Sequence, residues 1–240
     1  MAATTIYTNC LDVQCPLFGV AIGSVAQSMS VMVGVQLTGW MLSMGVGDQG
    51  QALLYIMVYA FCQCLPLYAL LSALTLRSEE SSMRADLLLS TPISRLRWAT
   101  SHLLFAFAGP LVILLVFGLA IAIVYGLSVG NPAGEAPLIL LRTMMTLPAV
   151  WLLLAIVVVV YGYLPKMVVA IGWTLLAALI LLEAAYESYL VEWTIFNLSP
   201  FAHVHWSSPQ IPVVAMALLA IGAMLLTGIG LSHFQRRDIA

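Results

Sequence analysis

Five long apolar stretches constrain this chain more than any other feature: Ala52 to Leu76, Trp98 to Tyr125, Leu138 to Leu164, Val168 to Ala184 and Ile211 to Leu231. About 20 apolar residues in a helix cross the roughly 30 Å hydrocarbon core of a bilayer. In that core a helix is the only open-chain structure that satisfies its own backbone hydrogen bonds. The fourth stretch is the shortest and draws on Met167 or Ala185 to fill its ends. A sixth candidate, Leu17 to Leu42, carries no charge but holds Ser24, Gln27, Ser28, Ser30, Gln36 and Thr38. It is either a weak span packed in the bundle or a helix lying on the outer leaflet. Of the 240 residues, 62% are hydrophobic and 8% charged. A soluble domain has about a quarter charged residues, so this chain could not cover a globule with polar groups. A net charge of −2 argues against a nucleic-acid partner. The expected fold is an all-α integral membrane protein, with a bundle of five transmembrane helices and a sixth, N-terminal candidate. Residues 1–50 form an outer segment or weak first span, and 51–240 the membrane domain.

Charge asymmetry sets the direction. Arg77, Arg84, Arg95 and Arg97 share one loop, Lys166 lies in the next alternate loop, and Arg236 and Arg237 lie in the C-terminal tail. Asp48, Glu135, Glu187 and Glu192 fall on the opposite side when the spans alternate. Lys and Arg stay cytoplasmic, so the loop 77–97 and the C-terminus are expected inside a cell membrane. With six spans the N-terminus is also inside, and with five it is outside. The exception, Arg142, is expected about one turn into its span on the outer side, within snorkelling reach of water. The N-terminal MAATTIYTNC has no basic residue and does not read as a secretory signal.

The loop 77–97 is the longest polar stretch on the cytoplasmic side. Ser78 is suited to cap a helix whose positive end takes Glu79 and Glu80. Met83, Leu87 and Leu88 recur on one helical face, with Arg84 elsewhere. Thr91-Pro92 ends the helix, because a residue before proline is pushed from helical geometry. Arg95, Arg97 and Trp98 mark the headgroup level. The product is a short amphipathic helix joined to two spans, which is either an interfacial hairpin or a docking element for a partner.

The run RSEESSMRADLLLSTPISRLRWATSHLL resembles the cytoplasmic loop of ABC type-2 exporter permeases, whose pattern is roughly R-x-E-E-x-x-x-R-x-E-x-L-L-x-x-P-x-S-R. It is closest to the bacterial antibiotic-exporter subgroup. Asp86 stands where that family more often has Glu. Leu147-Pro148-Ala149-Val150-Trp151, Leu164-Pro165-Lys166 and Leu198-Ser199-Pro200-Phe201-Ala202-His203 echo the family in order, so the likeness covers about Gln51 to the end. The first fifty residues match less well and look like the outer segment that follows a first span, which would make a first span absent. The resemblance implies a coupling helix, Glu79 to Ser90, that docks on an ATP-binding subunit. Glu79, Glu80, Met83, Arg84, Asp86, Leu87, Leu88, Pro92 and Arg95 are its candidate residues. It also implies six spans per half, a second permease copy or a related subunit, and a hairpin dipping into the outer leaflet between the last two spans. The outer loop 186–210 suits such a hairpin, since its aromatics Tyr186, Tyr189, Trp193, Phe196, Phe201 and Trp206 favour the interface. An ordinary aromatic belt explains it equally.

The sites within the chain are sparse. Lys166 is the only lysine and no glycine-rich loop precedes it, so the Walker pattern is absent. ATP and magnesium would therefore bind a partner, and no cofactor is expected on this chain. Gly45-Val46-Gly47-Asp48 resembles an aspartyl-protease G-x-G-D, but that chemistry needs a second carboxylate, and Asp12, Asp86 and Asp238 lie outside the spans. Cys10, Cys15, Cys62 and Cys64 make no metal pattern. Cys62 and Cys64 point different ways on a helix and read as packing residues. No H-E-x-x-H supplies zinc ligands, and His102, His203 and His205 read as interfacial. Glu183 and Glu187 share a face near the outer end of a span, at a depth similar to Arg142. They form either an anchoring ion pair or the outer exit of a substrate path. The expected function is a non-enzymatic permease subunit of an ATP-driven exporter for hydrophobic or amphipathic compounds such as a drug, antibiotic or lipid. Alternatives are an ATP-independent secondary transporter, which would show intramembrane charges and paired broken helices, or a non-transporting membrane scaffold.

Overall fold

A computed structural model describes residues 49–81, 95–188, 190–205 and 211–236. The described residues are helical, with no strand among them. In chain order the helices are α1 (Gln49–Cys62), α2 (Leu65–Ser81), α3 (Arg95–Val129), α4 (Pro132–Met144), α5 (Leu147–Tyr163), α6 (Val168–Glu187), the one-turn α7 (Trp193–Phe196) and α8 (Val213–Arg236). Five segments are long and apolar enough to cross a membrane: Leu54–Arg77, Arg97–Val129, Ala133–Tyr163, Val168–Tyr186 and Val213–Gln235. The protein is thus a multi-pass, all-α membrane protein. The sixth candidate, Leu17 to Leu42, lies outside the described residues.

Three expectations about element boundaries change. The first and third stretches are each two helices rather than one. Pro66 and Pro148 cause this in the same register: the preceding helices end at Cys62 and Met144, four residues before each proline. A proline ring clashes with that carbonyl and offers no N–H to it. Both breaks close with a tighter bond, Cys64 N–H to the Phe61 carbonyl at 3.0 Å and Met145 N–H to the Arg142 carbonyl at 3.3 Å. The third stretch also begins earlier than Leu138. Gly130, at φ 77°, stops α3 in the left-handed conformation, and Asn131 then caps α4 by accepting from Gly134 N–H at 3.3 Å. Pro132 opens α4 and Glu135 sits in its first turn, both suited to a helix start. Finally, Ser78 does not cap a new helix, because α2 runs unbroken from Leu65 to Ser81. No proline or glycine lies between Pro66 and Pro92 to stop it sooner.

The described residues group into two compact units, those within 1–64, 111–147 and 204–213, and those within 65–110, 148–203 and 214–240. In the first unit α1 packs on α4 and on the later part of α3. Phe61 stacks on Phe117 with ring centroids 3.8 Å apart, and Cys62 meets the Thr143 carbonyl at 3.9 Å. Gly118 is where α3 approaches α4, since a Cβ there would lie 3.1–3.2 Å from Leu140 and Thr143.

The second unit has a continuous apolar core drawn from α2, α3, α5, α6 and α8, including Leu70, Ala99, Ala106, Leu154, Leu176 and Phe234. Pro110 lies inside α3 and leaves a carbonyl of the preceding turn without its usual donor. In the same turn Trp151 of α5 donates its Nε1–H to the Phe107 carbonyl at 2.9 Å, one residue on from the Ala106 carbonyl that the proline ring faces. Helices α5 and α8 touch through glycine. A Cβ on Gly162 would lie 2.6 Å from the Gly230 carbonyl oxygen, and one on Gly230 would lie 2.8 Å from the Val158 backbone. Around this contact Tyr161 stacks on Phe234, Tyr163 stacks on His233, and His233 Nδ1 lies 3.2 Å from the Gly162 carbonyl. The membrane-crossing segments of α6 and α8 are only 17% and 11% buried, so most of their apolar surface faces outward, as lipid-facing helices require.

Candidate functional site

The residues expected to couple to a partner are reached only at their edges. Glu79 and Glu80 fall in the last turn of α2, and Arg95 opens α3. Met83, Arg84, Asp86, Leu87, Leu88 and Pro92 lie outside the described residues. In the second unit a narrow cleft is lined by Ala73, Leu76, Arg77, Leu103, Val157 and Tyr161. Arg77 is its charged member. Trp98 is buried nearby in the same core, edge-on to His102 at 5.4 Å, so the headgroup-level aromatic turns inward.

Arg142 is deeper than the sequence suggested. Because α4 starts at Pro132, Arg142 lies ten residues along it, about 15 Å at 1.5 Å per residue. Ala133 to Pro137 carries Glu135, a proline and the three small residues Ala133, Gly134 and Ala136, so the strongly apolar run begins only at Leu138. Arg142 is half-buried, and its guanidinium sits 5.0 Å from the centroid of the Tyr55 ring of α1. Such a contact contributes roughly 0.5–2 kcal/mol, well below the cost of holding a permanent charge in hydrocarbon. The narrow cleft around it is lined by Tyr55, Tyr59, Cys62, Arg142, Met145 and Thr146. His205 is fully buried and meets Tyr59 edge-on at 5.1 Å.

Sequence reasoning missed Tyr55, Tyr59 and Thr146. Their signal was present, since Tyr55 and Tyr59 are four apart on one helical face, but only the fold brings α4 against it. Glu183 is half-buried in α6 and Glu187 ends that helix. They belong to the second unit and Arg142 to the first. Cys62 and Cys64 point different ways as expected, but only Cys62 is a packing residue, because Cys64 is exposed. After α6, Tyr186 stacks on Phe196 at 4.3 Å and meets Trp193 edge-on at 5.5 Å. Of the aromatics expected there, Tyr186 and Trp193 therefore cluster around the buried Phe196, while Tyr189 and Trp206 lie outside the described residues.

Five long apolar segments, two of them interrupted and one carrying an arginine, make this a multi-pass membrane protein. The family described as "Multidrug efflux system permease Rv1217c, C-terminal domain" matches residues 13–235, and the chain belongs to it. That match takes in most of the first fifty residues, where the loop-based likeness was weak. The chain is 32% identical over 232 residues to the multidrug efflux system permease protein Rv1217c of Mycobacterium tuberculosis. The alignment covers 93% of this chain but 41% of that protein, so the chain spans about two fifths of its relative's length.

Proposed function

We propose that this chain is the membrane-spanning part of an ATP-driven exporter of the ABC type-2 kind, moving hydrophobic or amphipathic compounds out of the cell. The observation that carries the reading is the loop 77–97. Its R-x-E-E and P-x-S-R elements resemble a coupling helix, and it lies on the positively charged side of the bundle. Membership of a multidrug efflux permease family supports an efflux role. The partner subunit binds and hydrolyses ATP with magnesium, since this chain has no Walker pattern. Closure of that partner's nucleotide domains moves the docked loop helix, through Glu79 to Leu88, and the bundle opens outward. A second permease half, identical or related, completes the pathway. The C-terminus is cytoplasmic, and residues 51–240 act as the permease domain.

The interrupted spans favour a second reading, a secondary transporter, because such proteins bind cargo at broken helices. Broken helices in inverted repeats run in opposite directions. Here the two interrupted spans are separated by a single span in the chain, so alternation sends them the same way. The spans also offer no mid-membrane carboxylate for ion coupling among the described residues.

Two experiments test the exporter reading. Affinity capture of the tagged chain should bring down an ATP-binding protein, and Leu87→Glu should abolish both capture and export while the protein stays folded in the membrane. Capture unaffected by that change would remove the docking role from this loop. A cysteine in place of Ser82 should resist an impermeant maleimide on intact cells and react after lysis. Labelling on intact cells would put the loop outside and end the assignment.

A further inference from the structure

In the second unit three membrane-crossing segments share one end. The third ends at Tyr163, the fourth begins at Val168 and the fifth ends at Gln235. Residues 164–167 join α5 to α6 in a tight turn, with the Leu164 N–H donating to the Val160 carbonyl at 2.7 Å and the Met167 N–H to the Leu164 carbonyl at 3.0 Å. The turn therefore keeps Lys166 beside the end of α5, and the Tyr163–His233 stack, with centroids 3.9 Å apart, brings the end of α8 to the same place. Tyr163, Leu164 and Met167 are each about half exposed. This corner is thus apolar surface around one exposed cation, Lys166.

His233 adds an acceptor to it. Its Nδ1 lies 3.2 Å from the Gly162 carbonyl. A carbonyl oxygen only accepts, so in the neutral ring Nδ1 carries the hydrogen and Nε2 keeps a lone pair for a donor. Among the described residues, the Lys166 ammonium, the Tyr163 hydroxyl and His233 Nε2 have no hydrogen-bond or ion-pair partner. Ile229 and Leu225, one and two turns deeper on the same side of α8, are 47% and 63% exposed and continue the apolar surface toward the membrane interior. A solvated lysine in an aromatic belt would account for Lys166 and Tyr163 alone. The lone pair of His233 and the apolar track below it need a further occupant. At the level where spans end, that occupant is apolar on one side and anionic on the other, and a phospholipid supplies both in one molecule.

We propose that this corner binds an anionic phospholipid with a hydroxyl-bearing headgroup, of the phosphatidylglycerol class. The Lys166 ammonium and the Tyr163 hydroxyl donate to the phosphodiester, a headgroup hydroxyl donates to His233 Nε2, and an acyl chain runs along α8 past Ile229 and Leu225. The site goes beyond the exporter reading and does not depend on it.

The test titrates the full chain in detergent micelles with dioleoyl lipids and reads bound lipid by native mass spectrometry. Phosphatidylglycerol should bind about fivefold or more tighter than phosphatidylcholine, the effect of one lysine near an anionic headgroup. Phosphatidylmethanol, which has the same charge and no hydroxyl, should fall between them. Lys166→Gln should bring all three lipids within about twofold of one another, and Lys166→Arg should keep the order, since the charge remains. His233→Phe preserves a ring on Tyr163 and removes the acceptor, so phosphatidylglycerol should then bind no better than phosphatidylmethanol. Tyr163→Phe should weaken both anionic lipids and leave phosphatidylcholine unchanged. Equal affinity for phosphatidylglycerol and phosphatidylcholine in the unaltered protein overturns the proposal and leaves the corner to a protein surface. A preference that survives Lys166→Gln places the lipid elsewhere and overturns it too. If His233→Phe does not fold, an unchanged preference in Tyr163→Phe overturns the site instead. Excess glycerophosphoglycerol, the headgroup without its chains, should not displace the lipid; displacement would show a site for soluble phosphodiesters and sink the lipid assignment.

Discussion

Gly230→Leu is expected to lower the thermal unfolding midpoint of the purified protein by about 6–12 °C, corresponding to about 3 kcal/mol. The reason is local. A Cβ at position 230 would lie 2.8 Å from the Val158 carbonyl carbon and oxygen and 2.9 Å from the Val159 nitrogen. These are backbone atoms of α5 and cannot swing aside as a side chain can. The helices must separate, and the Tyr161–Phe234 and Tyr163–His233 stacks beside them separate too. Gly228 is the internal control. It lies on the same helix, is exposed, and a Cβ there would meet nothing within 4 Å. Gly228→Leu should be neutral or slightly stabilising, by up to about 1 kcal/mol, because leucine is the better helix former. Equal damage from the two substitutions would show that glycine-mediated contact between α5 and α8 is not what holds this face.

Pro148→Ala should move stability and export in opposite directions. An alanine at 148 regains the N–H that can reach the Met144 carbonyl and loses the ring that blocks it. Met145 and Thr146 would then join a continuous helix, a gain of about 1 kcal/mol for the recovered bond. The same change turns Met145 and Thr146, which line the Arg142 cleft, and export should fall by about tenfold or more, as expected where function depends on an irregular element. Hydrogen exchange at residues 145–149 reports whether the helix has closed, and a drug-resistance assay reports export. A closed helix with full export would remove the interruption from the transport mechanism. Pro66→Ala, the matching change in the other interrupted span, should behave in the same way.

Much of this architecture was legible in the chain because hydrocarbon imposes a length on every crossing segment. The five spans and their boundaries within a few residues follow from apolar run length. The start of α4 was legible in principle too: Gly130, Asn131 and Pro132 are a stop, a cap and a first-turn residue in sequence. They were overlooked because Glu135 interrupts the apolar run, which made the helix look shorter and Arg142 shallower. The split of two spans was similarly written in Leu65-Pro66 and Leu147-Pro148. Yet Pro110 and Pro137 lie within unbroken helices, so proline alone does not announce a break.

The sequence by itself determined five apolar runs long enough to cross a membrane and the direction its charges favour. These depend on run length, composition and local motif, which neighbouring residues carry among themselves. Only the tertiary structure decided that Tyr55 faces Arg142, 87 positions away in the chain, and that Gly230 tolerates no side chain while Gly228 does. In a chain this apolar every helical face is hydrophobic, so amphipathic periodicity does not mark the inward one. Which faces meet is settled by the fit of small residues, rings and stray carbonyls.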